Sequence, residues 1–137
     1  MIRLTAGVKG SGKTKEFIER ANKAAGKTDG HIVYIDRGNE RMYDLTHSVR
    51  LVSADSFTMT SCGEFLGFIY GVLSQDSDIK EIYADSLTNI VSAAAPGDLD
   101  DFLPKLEKFS LERGVDFYIG VGFSEEEITL GAKKFLG

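Results

Sequence analysis

Apolar positions along this chain alternate between short, β-branched runs and longer stretches with helical spacing. Ile2-Arg3-Leu4-Thr5-Ala6 forms an extended segment suited to a buried strand. Helical periodicity follows, with Phe17, Ile18, Ala21 and Ala25 on one face and Gly26 marking the end. His31-Ile32-Val33-Tyr34-Ile35-Asp36 has the character of a central parallel strand. Arg37-Gly38-Asn39-Glu40 then predicts a tight turn, and Met42-Tyr43-Asp44-Leu45 returns from it as a short antiparallel strand. Val49-Arg50-Leu51-Val52 predicts a further strand.

Ser61-Cys62-Gly63-Glu64 has capping-box spacing and opens an apolar helix through about Leu73. Ile79 to Asp85 predicts a strand ending in a carboxylate. Pro96-Gly97-Asp98 marks a loop. A helix is expected from about Asp101 to Arg113, with Pro104 in its first turn and Gly114 at its end. Val115 to Gly122 predicts an apolar strand, and Ser124-Glu125-Glu126-Glu127 a second capping box opening a final helix to Leu136. Alternating strands and helices indicate an α/β fold with a mainly parallel sheet.

Composition narrows this. At 137 residues one domain is expected over 1–137. A net charge of −5 argues against a nucleic-acid surface as the main partner. The single cysteine, Cys62, excludes an internal disulfide and fits a reducing cytoplasm. No signal peptide is expected before the first strand, and no apolar run in the sequence approaches a membrane span. A cytoplasmic location is expected.

The chemistry concentrates between the first strand and the first helix. Gly7-Val8-Lys9-Gly10-Ser11-Gly12-Lys13-Thr14 satisfies G-x-x-x-x-G-K-[ST], the phosphate-binding P-loop. Glycines let successive backbone N–H groups point inward, and the helix N-terminus adds partial positive charge. Lys13 would reach the terminal phosphates and the Thr14 hydroxyl would ligate Mg²⁺; Lys15 is counted with the octapeptide as a nucleotide-binding candidate. Such a site needs a second acidic group near the metal. Asp85, in Lys80-Glu81-Ile82-Tyr83-Ala84-Asp85-Ser86-Leu87-Thr88, could orient a metal-bound water. Asp36 is the alternative for that role, since Mg²⁺ takes few protein ligands.

Ile82-Tyr83-Ala84-Asp85-Ser86-Leu87-Thr88 resembles the hydrophobic-Asp-Ser-Leu-Thr Walker B strand of RecA/KaiC-type ATPases. Together with the Walker A motif it resembles a minimal RecA-like P-loop domain. The whole chain is also similar to small stand-alone ATP-binding proteins labelled PilT-like, through Gly10 to Thr14, Tyr34-Ile35-Asp36, Arg50-Leu51-Val52 and Asp85 to Thr88. The resemblance implies a three-layer P-loop NTPase fold, with the 117–122 strand between strands 2–6 and 81–85. It also implies ATP and Mg²⁺ as ligands. The family carries a catalytic glutamate just beyond the strand after the first helix. Here that strand ends in Asp36, with no Glu within two residues. Asp36 and Glu40 are therefore the candidates for the catalytic base, and slow or partner-dependent hydrolysis is expected. A true pilus-retraction motor is longer and His-rich, so motor function is not implied.

Secondary candidates each have a plain structural alternative. Lys9 could add charge against a phosphate, or be a solvated loop lysine. Arg37, Arg41 and Arg50 could reach a γ-phosphate, or be edge charges that discourage strand pairing. Gly63, Gly67 and Gly71 permit close packing of their helix on the sheet or on a partner subunit. Cys62 reads as a buried structural thiol, Ser124 as a helix cap, and the isolated His31 and His47 do not suggest zinc. With the 2–6 strand near a sheet edge, a homodimer could cover it. The expected function is nucleotide-dependent switching with an unidentified protein partner, away from membranes. The alternative is a small-molecule kinase, and a degenerate loop is a third reading.

Overall fold

The computed structural model describes residues 1–8 and 10–137, so the expectation for Lys9 lies outside the described residues. Five strands form one all-parallel sheet: β1 (Ile2–Ala6), β2 (His31–Asp36), β3 (Val49–Ser53), β4 (Ile79–Ala84) and β5 (Asp116–Val121), in the order β1-β5-β4-β2-β3. The expected placement of the 117–122 strand between those at 2–6 and 81–85 holds. Near-continuous apolar runs fit strands covered on both faces. Val33, Ile35, Ile82, Ala84, Phe117 and Ile119 face one core, while Ile32, Tyr34, Tyr83 and Tyr118 face the other.

Helix α1 (Lys13–Ala25) covers the second of these cores with Phe17 and Ala21. Beneath it lies a row of tyrosines set by register, Tyr34 opposite Tyr83 and Tyr83 opposite Tyr118. Their rings stack at centroid distances of 6.1 and 4.5 Å, and Phe17 meets Tyr83 edge-on at 5.8 Å. Helices α2 (Cys62–Ser74) and α4 (Leu99–Arg113) supply the larger core through Phe65, Ile69, Phe102 and Leu106. Helix α3 (Leu87–Ile90) follows β4, and α5 (Leu130–Lys133) closes the chain. No helix among the described residues is long and apolar enough to cross a membrane.

Several expectations are corrected. Residues 37–48 form no hairpin: β2 and β3 are parallel, and the connection contains a 3-10 turn at Glu40–Tyr43. A parallel pair needs a crossover, which a tight return cannot supply. Helix α4 begins at Leu99, so Pro104 lies inside it rather than in its first turn. The final helix is interrupted. Glu127 accepts from the Ser124 N–H at 3.0 Å, but only a 3-10 turn (Glu125–Glu127) follows, and Ile128 is extended. The Thr129 hydroxyl donates to Asp100 at the start of α4, and Gly131 packs against the same carboxylate, which fixes the break. Gly63, Gly67 and Gly71 lie on the exposed side of α2, away from the sheet, because Cys62, Phe65, Leu66 and Ile69 take the buried side. The β1 edge is covered by the chain itself: the Leu4 N–H donates to the Phe135 carbonyl at 2.8 Å, and Gly137 N–H to the Leu4 carbonyl at 3.2 Å.

Candidate functional site

In a parallel sheet the carboxyl ends of the strands converge on one rim, where ligands bind in open α/β folds. Here that rim gathers Gly10 to Gly12 and the start of α1 after β1, Asp36 at the end of β2, Asp85 after β4 and Gly122 after β5. The rim holds a cavity of about 630 Å³ lined by Gly10 to Thr14, Arg41, Asp85, Ser86, Thr88, Asn89 and Gly122; Asp36 is not part of its wall. That volume lies within the usual range for small-molecule sites.

The loop's conformation follows from its glycines. Gly10 and Gly12 have φ of 88° and 90°, in a region that side chains disfavour. Gly12 immediately precedes α1, whose first N–H groups have no intrahelical partner by geometry. Lys13 folds back over the loop: its Nζ donates to the Gly7 carbonyl and, at 3.3 Å, to the Val8 carbonyl and Ser11 Oγ. Partial burial lowers its pKa, and nearby Asp85 opposes that shift.

Asp85 is 2% exposed and held from two directions. The Thr14 hydroxyl donates to Oδ1 at 3.2 Å, and the Tyr34 hydroxyl to Oδ2 at 2.8 Å. Its N–H donates to the Ile35 carbonyl at 3.0 Å, which fastens the end of β4 to β2. Burial, then Asp85, raises the Tyr34 phenol well above the ordinary range, so the hydroxyl stays a donor. Ser86 follows at φ 60°, a left-handed turn that leads the chain from β4 into α3. Thr88 Oγ1 accepts from the Gly122 N–H at 3.1 Å and links the ends of β4 and β5.

Asp36 is also buried, and its Oδ1 accepts from the Arg37 N–H at 2.8 Å. Burial raises its pKa to about 6; the Arg37 N–H bond opposes this, Asp85 adds to it, and Arg41 opposes it. The Arg41 Nε lies 3.7 Å from Asp36 Oδ2. Thr14 and Arg41 also border a second cavity of about 530 Å³, completed by Lys15, Ile18, Glu19 and Asp44.

The rim thus brings together most of the residues singled out in sequence: Gly10 to Thr14 with Asp85 in one cavity, Lys15 in the next, and Asp36 behind Arg41. Glu40 is exposed, near enough to raise the Asp36 pKa, but it lines neither cavity. The arginines separate. Arg37 pairs with Asp55 at 3.7 Å, and Arg50 pairs with Asp76 at 3.4 Å beside His31, at the start of the strands. Only Arg41 of the three enters the cavity. The Ser124 hydroxyl is engaged by Glu127, and Gly122 takes the place at the end of β5. Cys62 is buried, and its thiol is pushed up to about 11 by burial and then Asp98. Sequence reasoning missed Tyr34, Thr88 and Asn89. The signal for Tyr34 was a hydroxyl in an otherwise aliphatic run ending in Asp36. No protein-family model and no curated protein matches the sequence.

Proposed function

We propose that this chain binds a nucleoside triphosphate, ATP, with Mg²⁺ at the rim cavity, as a P-loop domain of RecA-like type. The observation that carries the reading is the convergence of the glycine loop, Lys13, Thr14 and Asp85 on one cavity. Backbone N–H groups at a helix N-terminus, an ammonium and a hydroxyl suit a polyphosphate. The strand order, with β5 between β1 and β4, supports the same assignment. The donor set fits a hard cation: Thr14 and Asp85 offer adjacent oxygens. Among the described residues no group of three or more His, Cys, Asp or Glu could form a protein cage. Mg²⁺ characteristically binds with one or two protein oxygens, the rest coming from phosphate and water. Bound there, it would neutralise charge on the distal phosphates. Asp36, capped by Arg37 and Arg41, is not placed as an open water-activating base, which favours binding over rapid turnover. The biological output would then be nucleotide-dependent switching or partner assembly in the cytoplasm.

A small-molecule kinase is the second reading. It is favoured by the neighbouring cavity, which shares Thr14 and Arg41 with the first and has room for a phosphoryl acceptor.

Calorimetric titration with Mg·ATP tests the main reading. Lys13→Ala should weaken binding by about ten-fold or more, and chelating the metal should weaken it too. Equal affinities for wild type and Lys13→Ala would sink the assignment. ADP formed only when a metabolite pool is present would replace it with the kinase.

A further inference from the structure

Arg41 borders the cavity with its side chain 36% exposed. It projects from the Glu40–Tyr43 turn, an element separate from the loop, and borders the same cavity as Lys13, Thr14 and Asp85. Its Nε is buried and, among the described residues, has no hydrogen-bond partner. The Asp36 carboxylate at 3.7 Å neutralises its charge from beyond hydrogen-bond distance. A buried donor without an acceptor is costly, and native structures rarely leave one unexplained. Turning the guanidinium from Asp36 toward an anion in the cavity would give it an acceptor, and a guanidinium fork matches phosphate oxygens.

Position decides which phosphate. On the nucleotide reading Thr14 and Asp85 would hold the metal, so the distal phosphates would lie at their end of the cavity. Arg41 lies at that end: it borders both cavities together with Thr14, and its Nε is 3.7 Å from Asp36. We propose that Arg41 binds the terminal phosphate of the triphosphate, exchanging Asp36 for a phosphate oxygen, so that the 40–43 turn distinguishes triphosphate from diphosphate. This rests on the nucleotide reading above and adds to it a residue that reads nucleotide state. The turn carries exposed Met42 and Tyr43, and is tied to α1 by Asn22, which donates to the Asp44 carbonyl and accepts from the Thr46 N–H, both at 2.9 Å. The exchange therefore acts on a surface segment as well as on the ligand.

The test is calorimetry of wild type, Arg41→Ala and Arg41→Lys with Mg·ATP and Mg·ADP. Arg41→Ala should lose about ten- to a hundred-fold in ATP affinity, the range for one charge-assisted contact, and change ADP affinity by less than about three-fold. Arg41→Lys, which keeps charge without the fork, should fall between. An ATP-to-ADP affinity ratio unchanged from wild type overturns the inference while leaving nucleotide binding intact. If wild type takes up neither nucleotide, the nucleotide reading itself falls, and this one with it. Should Arg41→Ala fail to fold, Arg41→Lys decides: a loss confined to ATP supports the role, and equal losses for both nucleotides refute it.

Discussion

Asp36 offers a prediction that depends on no ligand. Its carboxyl titrates in the folded protein at about 6, against an ordinary value of 3.8, chiefly because burial disfavours the charged form. The folded state therefore holds this proton more tightly than the unfolded chain does. The stability it contributes is complete below pH 3.8 and is lost as pH rises through about 6. Integrated, the loss approaches about 3 kcal/mol, of which about 2 kcal/mol falls between pH about 4.5 and about 7.5. Asp36→Asn keeps the Oδ1 acceptor for the Arg37 N–H and abolishes the titration. Its amide would sit where Oδ2 faces Arg41, which adds a cost independent of pH. The informative quantity is therefore the slope of the difference and not its offset. Urea denaturation of both proteins, in chelator and without nucleotide, gives that slope, because the carboxylates not coupled to Asp36 cancel between them. Wild type should lose about 2 kcal/mol relative to Asp36→Asn across that interval. A flat difference, or one of opposite sign, would refute a raised Asp36.

Two further predictions concern the frame of the site. Tyr34→Phe removes the buried donor to Asp85 and should cost about 1.5–3 kcal/mol in urea denaturation. Tyr43→Phe, at a side chain 88% exposed, should stay within about 0.5 kcal/mol; similar losses in the two variants would deny Tyr34 its role. Ser61→Ala deletes the cap that accepts from Glu64 N–H at 3.1 Å and should cost about 1 kcal/mol. A thermal or chemical melt indistinguishable from wild type would show that α2 is held by its apolar face alone.

Much of the fold was legible because period and punctuation agreed. The β-branched runs, the octapeptide and the Ser61 capping box each indicated the element found there. Asp85 was legible as a carboxylate closing an apolar strand. The failures lie where tertiary contacts choose between local options. Met42-Tyr43-Asp44-Leu45 has the alternation of a strand, yet the parallel β2–β3 pairing demands a crossover, and the segment coils into a turn with Tyr43 in solvent. The final helix had a start signal and apolar spacing at Ile128, Ala132 and Phe135, but contacts with Asp100 break it at Ile128 and Thr129. Arg41 could not be told from Arg37 and Arg50 in sequence, since what separates them is tertiary: Arg50 reaches Asp76 at the other end of the sheet, and Arg37 turns to Asp55 and the Asn89 carbonyl. Tyr34 gains its importance only from the strand beside it, and no spacing in one chain announces a neighbour that far away.

The return of residues 135–137 along β1 gives the sheet a direction of growth. The middle of the β1 edge is already engaged at Leu4, so an incoming strand would find its free ladder beyond β3. That flank follows directly on the segment bearing Arg41 and sits opposite β2, whose last residue is Asp36. Lateral association there would press on the segment that holds the arginine. Whatever docks at that margin would be positioned to alter how the cavity is charged.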